Sequence, residues 1–195
     1  MFMCRIYPLG INRHSHRFIL RQRMTGTTLL ELMITLSIAA ILMSIAVPSF
    51  QSFTRTNRIA AITNQLSSAL QHARSEAMTR GKTVTVCKSD DITDSTPTCN
   101  TGANWQDGWV VFVDNDGDGT FDAGDTPLRV GQSTNSGVVI GGGTNFANFV
   151  RFTPNGQSLG ASTQRGTISI CIAPAERNII FNAIGRLRIT TGTCP

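Results

Sequence analysis

Hydrophobic positions follow two regimes in the first half of the chain. From Leu29 to Val47 the residues are almost continuously apolar, nineteen positions interrupted only by the charge of Glu31. Coiled as a helix, such a run spans roughly 28 Å, close to the hydrocarbon thickness of a bilayer. Beyond Pro48 the apolar positions thin to every third or fourth residue: Ile59, Ile62, Leu66, Leu70, Ala73 and Ala77 define one stripe of an amphipathic helix. Gly81 is a plausible stop. The pattern predicts one helix from Leu29 to Arg80, roughly 78 Å long, with Pro48 kinking it or loosening a turn.

After Gly81 the pattern changes to short runs rich in Val, Ile, Phe and Thr, separated by Gly, Asn and Ser turns. They predict strands at Thr83–Lys88, Gly108–Asp114, Pro127–Val130, Val138–Ile140, Phe149–Thr153, Thr167–Ile172, Asn178–Asn182 and Leu187–Thr190. The stretches 131–148 and 155–166 read as loops. The fold class is therefore α+β, one long amino-terminal helix packed on antiparallel β-sheet. A length of 195 residues suits one ordinary domain, and 41% hydrophobic residues exclude a wholly disordered chain.

Charge changes the picture by its distribution. The net +5 lies entirely in residues 1–26, which hold five Arg and no acid. From Asp90 to Asp125 there are nine Asp and no Lys or Arg, and from Thr126 to Pro195 six Arg and one Glu. Such segregation creates local fields that net charge hides. His14 and His16 lie in the basic leader, leaving His72 as the one imidazole beyond it. No nucleophile elbow, HExxH or Walker loop occurs, so the chain reads as no enzyme.

The leader and the apolar run together form a targeting device. Arginines before the run predict a cytoplasmic amino terminus. Pro48 and polar residues follow the run where a signal peptidase would need small ones, so the anchor is retained. Glu31 is costly in a membrane helix unless paired. A cut after Gly26 would free the α-amine of Thr27 one turn away as its partner. The alternative is an interfacial carboxylate reaching the headgroups.

Gly26-Thr27-Thr28-Leu29-Leu30-Glu31-Leu32-Met33 resembles the processing motif of type IV pilins and type II secretion pseudopilins. The resemblance implies cleavage by a prepilin peptidase between Gly26 and Thr27, N-methylation of Thr27, and a role for Glu31 in assembly. Thr27 stands where the family usually has Phe. Pro48 falls where the family often has Pro. The implied organisation is a cleaved leader (1–26), a transmembrane and filament-core helix (27–48) and a periplasmic head (49–195). Within the head, Trp105-Gln-Asp-Gly-Trp109-Val-Val-Phe-Val-Asp114, the Asp/Gly loop after it and Pro127-Leu-Arg129 resemble the GspH/FimT pseudopilins. Their pilin-like fold is then expected, with other pilins or pseudopilins and the inner membrane as partners. Some FimT-type members bind DNA in natural transformation through a Gly-Arg-x-Arg motif, which Gly185-Arg186-Leu187-Arg188 matches.

On a strand, Arg186 and Arg188 would share one face about 7 Å apart, with Leu187 and Ile189 toward the core. Two guanidiniums so spaced suit neighbouring phosphates, while Gly185 permits a turn or a close backbone approach. The alternative is a solvated edge strand whose arginines discourage pairing.

Cys4 lies in the leader, and the four remaining cysteines suit two periplasmic disulfides. Of three connectivities, the local one, Cys87–Cys99 with Cys171–Cys194, is favoured; zinc is the alternative, without the usual close Cys pairs. Asp114, Asp116, Asp118, Asp122 and Asp125 fit positions 1, 3, 5, 9 and 12 of a calcium loop, with Gly119 at the sharp turn. The alternative is an Asx/Gly turn in which the carboxylates cap backbone N–H groups. No cofactor is committed.

The leading reading is a FimT-kind minor pilin whose head binds DNA. A secretion pseudopilin without DNA binding is the second, and a calcium-dependent surface domain on a simple membrane helix the third.

Overall fold

A computed structural model describes residues 26–94, 96–134 and 137–194; the leader through residue 25, with Cys4, lies outside them. The described residues form helix α1 (Leu29–Arg80) and nine strands: β1 (Val84–Lys88), β2 (Trp109–Val113), β3 (Thr126–Gly131), β4 (Val139–Gly141), β5 (Phe149–Phe152), β6 (Ser158–Leu159), β7 (Gly166–Ile172), β8 (Ala175–Phe181) and β9 (Leu187–Thr193). The chain divides into two compact units after Ile45.

In the first unit, Thr28 starts the helix by accepting the N–H of Glu31 on Oγ1 at 3.2 Å. Leu29, Leu30, Met33, Leu36, Ile41 and their neighbours are all exposed. Such a surface suits lipid or other helices better than water.

In the second unit, Pro48 lies inside α1 without ending it. All six residues of the predicted stripe are buried, with Leu66, Leu70, Ala73 and Ala77 fully so. Burying a leucine contributes about 2 kcal/mol, so this stripe is a principal tie between the helix and the sheets. Gly81 closes α1 at φ +63°, the left-handed position at which helices commonly end.

The strands form two antiparallel sheets, ordered β3-β2-β1-β5-β6 and β4-β7-β8-β9. The helical stripe, Val84, Val86, Val111, Val113, Val150 and Phe152 of the first sheet, and Ile168, Ile170, Ile179 and Phe181 of the second share one core. The other face of the first sheet is covered too: Cys87, Val110 and Phe112 pack with Cys99, Phe121 and Phe149. Two covered faces explain why β2 reads Trp-Val-Val-Phe-Val without alternation.

The structure joins Cys87 to Cys99 and Cys171 to Cys194. Three strand expectations need correction, one of them β9, which runs to Thr193 instead of ending at Thr190 because it pairs with β8 along its whole length. The loop expected at 155–166 contains β6, whose Ser158 is buried with the carbonyls of Gln164 (2.8 Å) and Asn182 (3.2 Å) both in reach of its one hydroxyl hydrogen. A two-residue strand carries no periodicity to detect. β8 begins at Ala175 rather than Asn178, because Ala173 and Pro174 alone turn the β7–β8 hairpin.

Candidate functional site

The arginine pair is presented at the start of an edge strand. β8 ends at Phe181 and β9, the edge of its sheet, begins at Leu187, so Arg186 belongs to the connecting turn and not to a strand as expected. Asn182 organises that turn: its carbonyl accepts the N–H of Gly185 (3.0 Å), its N–H donates to the carbonyl of Arg186 (3.2 Å), and its Oδ1 accepts the N–H of Arg186 (2.8 Å). Gly185 is buried at φ +74°, and a Cβ there would stand 2.0 Å from the carbonyl oxygen of Gly156. Only glycine fits without displacement.

Arg74 of α1 holds the turn from below, donating Nε to the carbonyl of Gly156 (2.8 Å) and Nη2 to that of Ile184 (3.0 Å). Sequence reasoning missed this residue. Its only sign was a charge beside the buried stripe, between Ala73 and Ala77.

Arg186 and Arg188 are both exposed, and their guanidiniums have no acceptor among the described residues. Leu187 packs on the core as expected, but Ile189 does not: it is 40% exposed, because an edge strand has a neighbour on one side only. Arg177 pairs with Thr191 and Arg188 with Ile180. Alternation therefore places Arg177 on the face opposite Arg188, away from the motif. Beside Arg186 a cavity of about 290 Å³ opens toward α1, lined by Gln71, Arg74, Ser75, Met78, Gly185, Arg186 and Leu187.

The acidic loop is partly a capping device. Asp114 is buried; its Oδ2 accepts the hydroxyl of Thr85 (2.6 Å) and the N–H of Gly119 (3.1 Å), and its Oδ1 accepts the N–H of Gly117 (2.6 Å). Burial pushes its carboxyl above the usual aspartate value, more than these hydrogen bonds and the Arg151 guanidinium (Nε at 3.7 Å) pull it down. Asp118 accepts the N–H of Thr120 (2.6 Å), Asp122 that of Gly124 (2.8 Å) and Asp125 that of Asn115 (2.9 Å). Asp114, Asp116 and Asp118 bring one carboxylate oxygen each within 4.8 Å of one another, a group able to hold a cation. Asp122 and Asp125, expected at positions 9 and 12, do not join it. Their oxygens cap the loop's own return.

At the amino terminus, Gly26 and Thr27 precede the helix and Glu31 is exposed in its first turn. Thr28-x-x-Glu31 places a cap and an acid where the helix dipole is positive. That pattern was legible in the sequence and went unread.

Comparison with known proteins supplies the family. The family described as Type II transport protein GspH matches residues 63–185, and the prokaryotic N-terminal methylation motif matches residues 21–47. Among curated proteins there is no significant match. The fold resembles two crystal forms of the type IV minor pilin FimU of Pseudomonas aeruginosa at 21% identity. One has a TM-score of 0.50, covering 67% of this chain and 91% of that one; the other has 0.51, covering 71% and 92%. The GspH match spans more than half of the chain and follows the methylation motif in the order of a prepilin. The chain thus belongs to the GspH family of minor pilins and pseudopilins, single-pass inner-membrane proteins that end in a pilus or pseudopilus.

Proposed function

We propose that this subunit is processed between Gly26 and Thr27, methylated on Thr27 and assembled through Glu31, and that its head binds DNA through Gly185, Arg186 and Arg188 during uptake for natural transformation. The observation that carries the DNA reading is the pair of exposed guanidiniums without acceptors, Arg186 on a turn held by Asn182, Gly185 and Arg74 and Arg188 on the edge strand that follows it. A backbone fixed beforehand suits phosphate binding because only side-chain freedom remains to be lost on contact. Phosphate contacts position a strand without reading its bases, so little sequence preference is expected.

The competing reading is a type II secretion pseudopilin acting in protein export without DNA. The family's own description favours it, and the GspH match stops at residue 185, before both arginines. Calcium at Asp114, Asp116 and Asp118 is a separate proposal, supported by the convergence of their oxygens. Three carboxylates would leave the remaining positions to water or backbone carbonyls.

The deciding experiment is a salt series of DNA binding by the full chain in detergent. Arg186→Gln with Arg188→Gln should keep the fold, abolish most binding and reduce the salt slope by about two counterions. Unchanged affinity in the folded double variant would leave the secretion reading.

A further inference from the structure

We infer that α1 forms the second wall of the DNA site: a single phosphodiester strand lies in the cleft between the 182–186 turn and the helix, contacted by Gln71 and Ser75 on one side and Arg186 on the other. This deepens the DNA reading and rests on it. At about 290 Å³ the cleft lies at the small end of ligand sites, enough for one sugar–phosphate unit and far too small to enclose a duplex.

The chemistry of the walls is one-sided. Gln71, Ser75 and Met78 share a helix face by their spacing of three and four, and all three are exposed. The amide of Gln71 and the hydroxyl of Ser75 have no hydrogen-bond partner among the described residues, so both remain available as donors. Arg74, also in the lining, already serves the carbonyls of Gly156 and Ile184 and contributes charge without needing to move. No carboxylate lines the cleft, and the neighbouring Glu76 is paired with Arg80. Donors and positive charge without a competing acid suit an anion such as a phosphodiester and disfavour a basic peptide, whose amines would find no partner. Arg188, two residues beyond Arg186, extends the donors along the edge strand toward the next phosphate.

The test uses the full chain in detergent and a short fluorescent oligothymidylate, with affinity read by anisotropy. Ser75→Glu sets a carboxylate in the cleft. Asn64→Glu adds the same charge at an exposed α1 position outside it. Ser75→Glu should weaken binding about tenfold and Asn64→Glu less than about twofold, whereas Ser75→Lys should tighten it. The gain expected from lysine cannot come from a misfolded head. Equal weakening by both glutamates, or weaker binding with Ser75→Lys, would overturn the helix wall and leave the arginine site standing. Failure of the unsubstituted chain to bind the oligonucleotide at low salt would remove the DNA reading and this wall together.

Discussion

Arg74 donates its Nε hydrogen to the carbonyl oxygen of Gly156 at 2.8 Å, the same oxygen that closes off the space beside Gly185. One helical side chain thus fixes two loops at once, and the arginine-bearing turn inherits its position from the core.

Two substitutions probe this junction. Gly185→Ala must place a Cβ 2.0 Å from the Gly156 oxygen while holding φ at +74°. The backbone strain and the overlap together should cost about 3 kcal/mol, lowering the melting temperature by about 10 °C. Arg74→Ala leaves two carbonyls without their charged donor and should cost about 2 kcal/mol. Thermal denaturation followed by circular dichroism measures both. A Gly185→Ala protein as stable as its parent would contradict the close approach.

Acid titration should separate two aspartates by sign. Burial is the largest single influence and raises Asp91, but the Ser89 hydroxyl (2.6 Å) and the hydroxyl and N–H of Thr98 (2.7 and 2.8 Å) together outweigh it and hold its carboxyl below the usual range. Its contribution to stability is present above the unfolded pKa of about 3.9 and is lost as pH falls through the lower folded value. Asp114, raised chiefly by burial, behaves oppositely: its contribution is complete below the unfolded value and is lost as pH rises through the folded one. Carboxyl titration by NMR should therefore place Asp91 below and Asp114 above about 3.9. The reverse order would contradict both environments.

Much of the fold was legible because period is a strong signal in a long element. The stripe from Ile59 to Ala77 could serve one purpose, and the structure buries all of it. The anchor was legible from length and charge alone. The division into two sheets was not, because strand pairing is set by contacts distant in sequence: β1 lies between β2 and β5, and nothing local to Val84–Lys88 names those partners. At the candidate site, Gly185 and the arginines stood out as a short motif. Arg74 and Asn182 did not, since their roles are hydrogen bonds to backbone groups that only the folded chain brings near.

The Cys171–Cys194 bridge ties β7 to the residue following β9, at a separation of 23 residues. Replacing both cysteines by serine should cost about 3 kcal/mol through loop entropy in the unfolded chain. Removing Cys87 and Cys99, separated by 12 residues, should cost slightly less by the same entropy. Non-reducing peptide mapping checks the pairing, and melting of each double variant checks the order.

Calcium would act by mass action on the folded state alone. Binding should raise the melting temperature progressively with concentration, by about 2.7 kcal/mol of stability at one hundred times the dissociation constant. Asp116→Asn and Asp118→Asn should each reduce the shift, because both belong to the converging group. Asp122→Asn should preserve it, since Asp122 caps Gly124 instead. No shift at millimolar calcium would reduce the loop to its capping role.

Processing and assembly test the amino-terminal motif separately. A peptidase that reads a small residue at the membrane edge should fail on a β-branched one, so Gly26→Val should leave the leader attached. Glu31 lies in the first turn of α1, where its backbone N–H donates to Thr28 Oγ1 and its charge stands at the positive end of the helix, able to pair with a freed Thr27 amine. Glu31→Gln keeps a polar side chain of the same length and removes the charge; Glu31→Val removes both. Cleavage should survive either change, while incorporation into sheared filaments should fall in both. If Glu31→Gln assembles normally and only Glu31→Val fails, assembly needs a polar side chain there and not its charge on the amine. Intact mass of the membrane-extracted protein reads the cleavage directly, and a mature chain still carrying residues 1–26 would rule out prepilin processing.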